Sequence, residues 1–205
     1  MPRRPATLSA LEAPARVDRR AHLVDTALRL FAAGGYHGVG IDTILAAAGV
    51  AKKTLYSHFP SKTALIAEVL RERDRRFLAS LAACVDAGET PLARLQAVFD
   101  WHARWFAEAD FAGCMFLNVA AEFHGAEAGL AQIARDHKQA LETFLAGLLA
   151  PLTGAEVAPL RAAELKLLLD GAIGVALVSG DAAGAAARAW DMACRLLGPL
   201  PADQG

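Results

Sequence analysis

The chain has 205 residues, of which 55% are hydrophobic and 21% charged, and its formal net charge is −1 at pH 7. A chain of this length can bury the core of one medium-sized domain, or of a small domain joined to a larger one. Its apolar runs are too short to span a bilayer as helices, and an even distribution of so little net charge would argue against a nucleic-acid partner.

The charge is distributed unevenly along the chain. Residues 1–80 carry 13 Lys and Arg against 7 Asp and Glu, a net +6, whereas residues 81–205 carry 8 against 15, a net −7. This asymmetry predicts a polyanion-binding end attached to a body with another task. The first residues include arginines but no apolar stretch of signal-peptide length, so we expect a cytoplasmic protein without membrane contact.

Alanine and leucine far outnumber β-branched and aromatic residues, which predicts an all-α fold. Residues 1–15, with three prolines and two arginines, predict a flexible basic arm. A first helix is predicted from Arg16, because apolar residues then recur at intervals of three and four, and Gly34-Gly35 ends it.

Two short helices and one long helix are predicted next. The short helices cover about residues 41–48 and 51–57, with a tight turn at Gly49 between them. Ser61, directly after a proline, is expected to cap a long fourth helix that extends to about Cys84.

The remainder of the chain is predicted to form a helical body, whose helices are separated by Gly, Pro and Asp clusters. These helices cover about residues 92–109, 115–124, 126–152, 158–178 and 181–197. We find no internal repeat and no alternating run long enough for a sheet. The predicted organisation is an arm at residues 1–15, a helix-turn-helix head at 16–62 and a body at 63–205.

The segment VAKKTLYSHFPSK, residues 50–62, contains the candidate DNA-binding residues. Two short helices joined by a glycine turn, with a first helix packed across them, predict a helix-turn-helix whose third helix enters the major groove. Leu55 must face inward with Val50 and Phe59. The outward positions are then Lys52, Lys53, Thr54, Tyr56 and His58. Lysines neutralise phosphates and hydroxyls bond phosphate oxygens. By composition alone, a plain solvated helix is the alternative.

The pattern over about residues 18–70 resembles the head of the TetR family of transcriptional regulators. The family signature has an aromatic residue near the end of a helix, then Gly-Tyr or Gly-Phe, then Ile-Ala-x-Ala-Ala-Gly-Val-Ser-x-x-x-Leu-Tyr-x-His-Phe-x-x-Lys-x-x-Leu. The matching residues are Phe31, Gly35, Tyr36, Ile44, Ala47, Ala48, Gly49, Val50, Leu55, Tyr56, His58, Phe59, Lys62 and Leu65. A match of this length is more specific than a lone short motif.

The resemblance implies roles for individual residues of the head. The recognition-helix contacts to DNA would be Lys52, Lys53, Thr54 and Tyr56, with Thr43 a contact from the second helix and Lys62 a phosphate clamp. For His58 it implies a structural or phosphate-binding role. Ala51 and Gly40 depart from the family pattern, because Ser or Thr is usual there. Losing a capping hydroxyl to alanine costs about 1 kcal/mol, whereas glycine is a tolerable cap.

In the family the body binds a ligand and forms the dimer. The resemblance there is architectural, apart from GCMFLNVAAEF at residues 113–123, which is similar to a pattern in part of the family. Aromatic walls with a few polar groups are typical of small-molecule pockets. The candidate ligand-binding residues are Trp101, His102, Trp105, Phe106, Cys114, Phe116, Asn118 and Phe123, with Glu122, His124 and His137 as further polar candidates. The alternative is that these aromatic residues only form core.

No metal site and no cofactor is predicted. His102, Cys114, His124 and His137 lack the spacing of metal ligands. The three cysteines are far apart and include no CxxC pair, which argues against a disulfide framework. Cys114 has no partner cysteine nearby in sequence that would make it a redox switch.

The last two predicted helices are apolar on more than one side. One stripe can pack on their own body and the other on a second subunit, which predicts a four-helix dimer interface. An intramolecular core is the alternative. The two heads of a dimer would contact successive major grooves on a near-palindromic site.

The resemblance therefore implies a homodimeric DNA-binding regulator and not an enzyme, namely a repressor released from its operator by a small apolar or amphipathic effector. Its partners would be double-stranded DNA, the effector and a second copy of the chain. One alternative is a small helical enzyme or carrier with an apolar pocket, although the body has no nucleophile-and-base motif. The other is a DNA-binding regulator that responds to no ligand.

Overall fold

The computed structural model describes residues 18–198, so the predicted arm at residues 1–15 lies outside the described part of the chain. Residues 18–198 form nine α-helices and no β-strand, which confirms the all-α prediction. The helices are α1 (Arg19–Gly34), α2 (Ile41–Ala48), α3 (Lys52–His58), α4 (Lys62–Asp86), α5 (Pro91–Phe106), α6 (Met115–Phe123), α7 (Ala128–Thr153), α8 (Ala158–Ser179) and α9 (Ala182–Leu197).

Local signals account for most of the helix ends. The side chains of Asp18, Ser61, Thr90 and Asp181 accept hydrogen bonds from backbone N–H groups in the first turns of α1, α4, α5 and α9. Each bond satisfies a donor that a helix start would otherwise leave unpaired. Gly49 ends α2 with a φ of 64°, a left-handed conformation that glycine adopts without a steric penalty.

The end of α5 differs from the prediction. This helix ends at Phe106 and not at Ala109, because residues 107–110 turn the chain back. The turn places the Phe111 ring 5.1 Å from the Trp105 ring and 5.2 Å from the Phe106 ring, measured between centroids. Packing these three aromatic rings together stabilises the turn.

Helices α1, α2 and α3 enclose a small core built from Leu23, Phe31, Ile44 and Leu55, all of which are buried. The N-terminal half of α4 extends this core, since α4 packs against α1. The predicted boundary between head and body after residue 62 therefore falls at the start of one continuous helix, and it stays a prediction.

The rest of α4 and helices α5 to α9 form the body. Helix α8 packs against both α7 and α9, and α5 packs against α4, α7 and α9. This arrangement turns one face of each of α4, α5, α6, α7 and α8 towards a shared interior. Within residues 18–198, no helix is both long enough and apolar enough to cross a bilayer.

Candidate DNA-binding surface and body cavity

The recognition helix α3 is held by one fully buried side chain. Leu55 has no exposed surface, and Phe59 directly after the helix is also buried. Because residues on opposite sides of a helix point apart, Lys52, Lys53 and Tyr56 face outward, and Tyr56 is 44% exposed. An exposed tyrosine beside two lysines can contact a phosphate backbone and the base edges of a groove.

The other predicted DNA contacts lie around this helix. Thr43 on α2 and His58 at the end of α3 are exposed, whereas Thr54 is half-buried. Lys62 opens α4, whose N-cap Ser61 accepts a hydrogen bond from the backbone of Ala64 at 3.0 Å. The remaining N–H groups of that first turn and the lysine charge together suit a phosphate.

The cations of this surface are not neutralised by the protein. Lys52 Nζ is 4.0 Å from Asp42 Oδ1, an exposed and solvent-screened pair of small energetic weight. No carboxylate of residues 18–198 forms an ion pair with Lys53 or Lys62. The charge of the recognition helix is therefore available to an external polyanion.

The two departures from the family pattern have structural counterparts. No side-chain hydrogen bond caps the start of α2 at Gly40 or the start of α3 at Ala51. Helix α2 is instead secured at its other end, where His22 Nε2 donates to the Ala48 carbonyl at 3.1 Å. The recognition helix depends correspondingly more on the burial of Leu55.

Helix α6 joins the body to the head through a contact that we call the head–body latch, formed by Tyr36, His37, Met115 and Glu122. The backbone N–H groups of Tyr36 and His37 donate to the two carboxylate oxygens of Glu122 at 3.0 and 2.8 Å. The Tyr36 hydroxyl donates to the Met115 carbonyl at 2.9 Å. Burial raises the pKa of Tyr36 well above its usual range, so the hydroxyl stays protonated and continues to donate.

The body contains an enclosed cavity where five helices converge. Its walls comprise Arg73 and Phe77 of α4, His102 and Trp105 of α5, Cys114, Met115 and Phe116 at the start of α6, His137, Lys138 and Leu141 of α7, and Leu169, Asp170 and Ile173 of α8. The cavity is small. Its volume, counted as the space that the centre of a water molecule can occupy, is about 10 Å³, which is enough for about one water molecule.

Two neutral imidazoles border the cavity. Burial lowers the pKa of His102 to about 4, and its Nδ1 donates to the Val98 carbonyl at 2.8 Å. Burial also lowers the pKa of His137, although Asp74 opposes this by accepting from His137 Nδ1 at 2.7 Å. The His137 ring stacks on Phe116 with centroids 3.6 Å apart. At neutral pH both rings are therefore uncharged parts of the wall.

Four of the eight predicted ligand-binding residues, His102, Trp105, Cys114 and Phe116, line this cavity. The other four do not line it, because each packs elsewhere. Trp101 donates from Nε1 to Ser80 Oγ, and Asn118 donates to the Ala112 carbonyl. Phe106 packs against Phe111, and Phe123 packs against His37 of the head with the two rings tilted by 41°. Of the further polar candidates, His137 lines the cavity and Glu122 belongs to the latch.

Arg73, Phe77, Lys138 and Asp170 also line the cavity, and none of them was predicted from the sequence. One signal was present in the sequence. Lys138 shares a face of α7 with the buried Ala134, Leu141 and Leu145. Because burying an unpaired charge costs free energy, a lysine on such an apolar face predicts an ion-pair partner. Which partner it finds depends on how α7 and α8 pack, and sequence spacing does not contain that information.

Within residues 18–198, no group of three or more His, Cys, Asp and Glu side chains is arranged to hold a metal ion. The three cysteines of the chain are all free thiols. Lys138 Nζ lies 3.6 Å from Cys114 Sγ and also donates to Asp170.

Helices α8 and α9 carry an apolar face that residues 18–198 leave open. Leu167 is 70% exposed and Val178 is 87% exposed, and Val175 and Met192 lie on the same surface. The opposite face of α8 is buried through Leu165, Leu169, Ile173 and other residues. Helix α8 is thus apolar on two sides, as the sequence indicated.

Sequence similarity to known proteins includes the head of this chain. The family model "Bacterial regulatory proteins, tetR family" matches residues 23–69. The transcriptional repressor DhaR of Mycobacterium sp. (strain GP1) is 35% identical over 109 residues, which cover 53% of this chain and 54% of DhaR. The regulator LmrA of Bacillus subtilis (strain 168) is 35% identical over 81 residues, which cover 39% and 43%. The chain thus spans about half the length of the curated relatives that it matches.

Solved structures are similar over most of the chain. A TetR-family transcriptional regulator from Streptomyces coelicolor superimposes with a TM-score of 0.81 and 30% identity, covering 87% of this chain and 94% of that one. A putative TetR transcriptional regulator from Streptomyces avermitilis has a TM-score of 0.72 and 30% identity, covering 86% and 98%. These similarities extend through both the head and the body.

Proposed function

This chain belongs to the TetR family of bacterial transcriptional regulators, and on that premise we propose that it acts as a homodimeric repressor released from a near-palindromic operator by a small molecule. The observation that carries the DNA-binding part is the outward set of Lys52, Lys53 and Tyr56 on a helix anchored by Leu55. Exposed cations with no strong internal partner bind phosphate by releasing counterions.

The exposed apolar face of α8 and α9 supports the homodimer. Leu167, Val175 and Val178 recur at intervals of eight and three residues along α8, and Met192 of α9 adds to the same surface. Burying such a face against its copy around a two-fold axis removes it from water and builds a four-helix interface. Two heads related by the same axis would contact a site with matching symmetry.

Two helices support a route from cavity to head. Helix α4 is continuous from Lys62 at the DNA-binding surface to Arg73 and Phe77 at the cavity. Helix α6 lines the cavity with Phe116 near its start and binds the head through Glu122 near its end. A ligand larger than one water must displace these helices, and the displacement favours conformations whose heads no longer fit two successive grooves.

The experiment that tests DNA binding uses the full chain and the DNA directly upstream of its own gene, across a salt series. The native chain should bind tightly and with steep salt dependence. Lys52→Ala/Lys53→Ala should weaken binding and lower the slope of log K against log salt by about 2, one for each lost phosphate contact. Arg135→Ala, which removes an exposed cation from α7 of the body, is the control and should change neither.

Unchanged affinity in the lysine double variant would refute the assignment of α3. Absence of binding by the native chain to this fragment would move the search to random-site selection, and failure there as well would refute the DNA-binding proposal.

A regulator that responds to no ligand is the second candidate, and the small volume of the cavity favours it. Thermal unfolding in the presence of small molecules separates the two. A molecule that raises the unfolding temperature and also releases the operator supports release by an effector, whereas stabilisation without release supports the ligand-independent regulator.

A further inference from the structure

The polar groups of the body cavity differ in whether the protein itself satisfies them. Lys138 donates to Asp170, and His137 donates to Asp74. His102 donates from Nδ1 to a backbone carbonyl of its own helix. These groups have partners already, and the two imidazoles are neutral, so none of them supplies a free positive charge.

Arg73 is the exception. It lines the cavity, is half-buried, and forms no hydrogen bond or ion pair with any group of residues 18–198. Its guanidinium carbon lies over the Trp105 ring, 5.6 Å from the centroid, in a cation–π contact. A partly desolvated cation without a counter-charge costs free energy, and an anion that reaches it recovers that cost.

The carboxylates nearest to Arg73 do not neutralise it. Burial lowers the pKa of Arg73, and the charges of Cys114, Glu108 and Asp110 oppose this without a hydrogen bond to the guanidinium. Both carboxylates belong to exposed residues of the turn after α5 and line an outer cleft together with Arg73, but neither lines the cavity. Arg29 lines the same cleft and partly offsets their repulsion of an anion, and neither carboxylate forms a hydrogen bond or ion pair with Arg73.

The remaining wall is aromatic and aliphatic. Phe77, Trp105 and Phe116 contribute rings, and Leu141, Leu169 and Ile173 contribute aliphatic side chains. Such a wall binds a compact apolar body, and aromatic walls favour an aromatic ring. The planar, forked guanidinium matches a carboxylate, which can accept two parallel hydrogen bonds from it.

Access to this site is through a cleft between α1 of the head and the end of α5. The cleft offers about 320 Å³ to the centre of a water-sized sphere, and it shares Arg73, Trp105 and Met115 with the cavity. Arg73 and Met115 are long, flexible side chains, so the partition between the cleft and the cavity can open without moving the backbone.

We propose that the effector is a compact aromatic carboxylic acid, whose carboxylate is held by Arg73 and whose ring lies between Trp105, Phe77 and Phe116. This inference rests on the proposed release by a small molecule and narrows the class of that molecule from apolar or amphipathic to anionic. The acid enters from the cleft, displaces Met115 and enlarges the cavity against α4 and α6.

The test compares acids with their primary amides, which keep the same ring but carry no charge. The probes are benzoate, 3-phenylpropionate and 2-naphthoate with their three amides, and calorimetry or thermal unfolding of the full native chain gives the affinities. At least one acid should bind, about tenfold or more tightly than its amide, as expected for a charge-assisted hydrogen bond.

Two arginine variants of α4 make the test specific. Arg73→Gln should weaken binding of the acid about tenfold or more while leaving binding of the amide unchanged, which also shows that the variant is folded. Arg71→Gln is the control, because Arg71 is an exposed arginine two residues away that pairs with Glu68 in the native chain. This substitution should change neither the affinity for the acid nor the affinity for the amide. Equal affinities for acid and amide, equal losses in both variants, or no binding by any acid would each overturn the proposal.

The same acids are then added to the complex with operator DNA. An acid that binds through Arg73 but leaves the DNA bound supports the ligand class and refutes release by that ligand. Release by an uncharged molecule, with no binding by any acid, refutes the ligand class and leaves release intact.

Discussion

His102 is buried among the aromatic side chains of the body, and this burial lowers its pKa from 6.5 to about 4. Because the folded-state pKa is below the unfolded-state value, the unfolded chain takes up the proton first as the pH falls. The stability that depends on a neutral imidazole is therefore complete near neutral pH. It is lost between about pH 6.5 and about pH 4.

We expect His102 alone to lower the free energy of unfolding by about 2 kcal/mol between about pH 7 and about pH 5. His102→Gln keeps a polar side chain of similar length that does not titrate. The free energy of unfolding of this variant should therefore fall by about 2 kcal/mol less than that of the native chain over the same pH range. Urea denaturation followed by tryptophan fluorescence at both pH values measures this difference. Equal losses in the two proteins would show that another group titrates.

The two tyrosines of the chain have opposite surroundings. Tyr36 is buried and donates to the Met115 carbonyl, whereas Tyr56 is exposed on the recognition helix. Tyr36→Phe should lower the free energy of unfolding by about 1 to 2 kcal/mol, because it removes a buried hydrogen bond between the head and α6. Tyr56→Phe should change stability by less than about 0.5 kcal/mol and weaken operator binding.

Denaturant titration and a gel-shift assay on both tyrosine variants provide the two measurements. A large loss of stability in Tyr56→Phe would mean that its hydroxyl serves the fold, and the DNA contact would then have to be assigned to its neighbours.

At the scale of elements, the turn between α2 and α3 sets the position of the recognition helix. Gly49 has a φ of 64°, and a Cβ atom built there would meet nothing within 4 Å, so a side chain is opposed by backbone conformation alone. Gly147, inside α7, is likewise surrounded by open space but has an ordinary helical conformation. Comparing alanine substitutions at the two glycines therefore isolates the effect of backbone conformation on the free energy of unfolding.

Gly49→Ala should lower the free energy of unfolding by about 1 kcal/mol, and Gly147→Ala should raise it by about 0.5 to 1 kcal/mol. Both values come from urea denaturation at one pH. A neutral effect at Gly49 would mean that the turn relaxes to another conformation, and operator affinity of that variant would then show whether α3 has moved.

At the scale of the whole molecule, the open apolar face of α8 and α9 determines the expected assembly. Leu167→Glu and Val178→Glu each place a charge on that face, and both positions are exposed in the single chain, so its own core is undisturbed. Each variant should be monomeric in sedimentation equilibrium and should bind the operator more weakly, since two heads no longer act together.

Leu117→Glu is the control for the assembly experiment, because Leu117 is an exposed leucine of α6 that does not line the α8 and α9 surface. It should leave the oligomeric state unchanged. A dimer that persists in both α8 variants would show that the interface lies elsewhere. A native chain that is monomeric at all concentrations would refute the dimer.

The head was predictable because its determinants are close in sequence. The bounds of α2, the cap at Ser61 and the turn at Gly49 each follow from residues within a few positions of one another, and all three agree with the structure. The burial of Leu55, and hence the outward set on α3, follows from helical periodicity once the helix is placed.

The latch and the free cation of the cavity were not predictable in this way. Tyr36 and Glu122 are separated by 86 positions, and the cavity combines faces of five helices. Propensity, capping and periodicity act over one or two turns, so the sequence was sufficient to predict the nine helices of residues 18–198, the outward residues of α3 and the two-sided apolarity of α8. The binding of Glu122 to the head, and the position of Arg73 at the cavity without a partner among residues 18–198, became visible only in the packed structure. Contacts between distant segments depend on how whole helices pack, and many packings are compatible with the same local pattern.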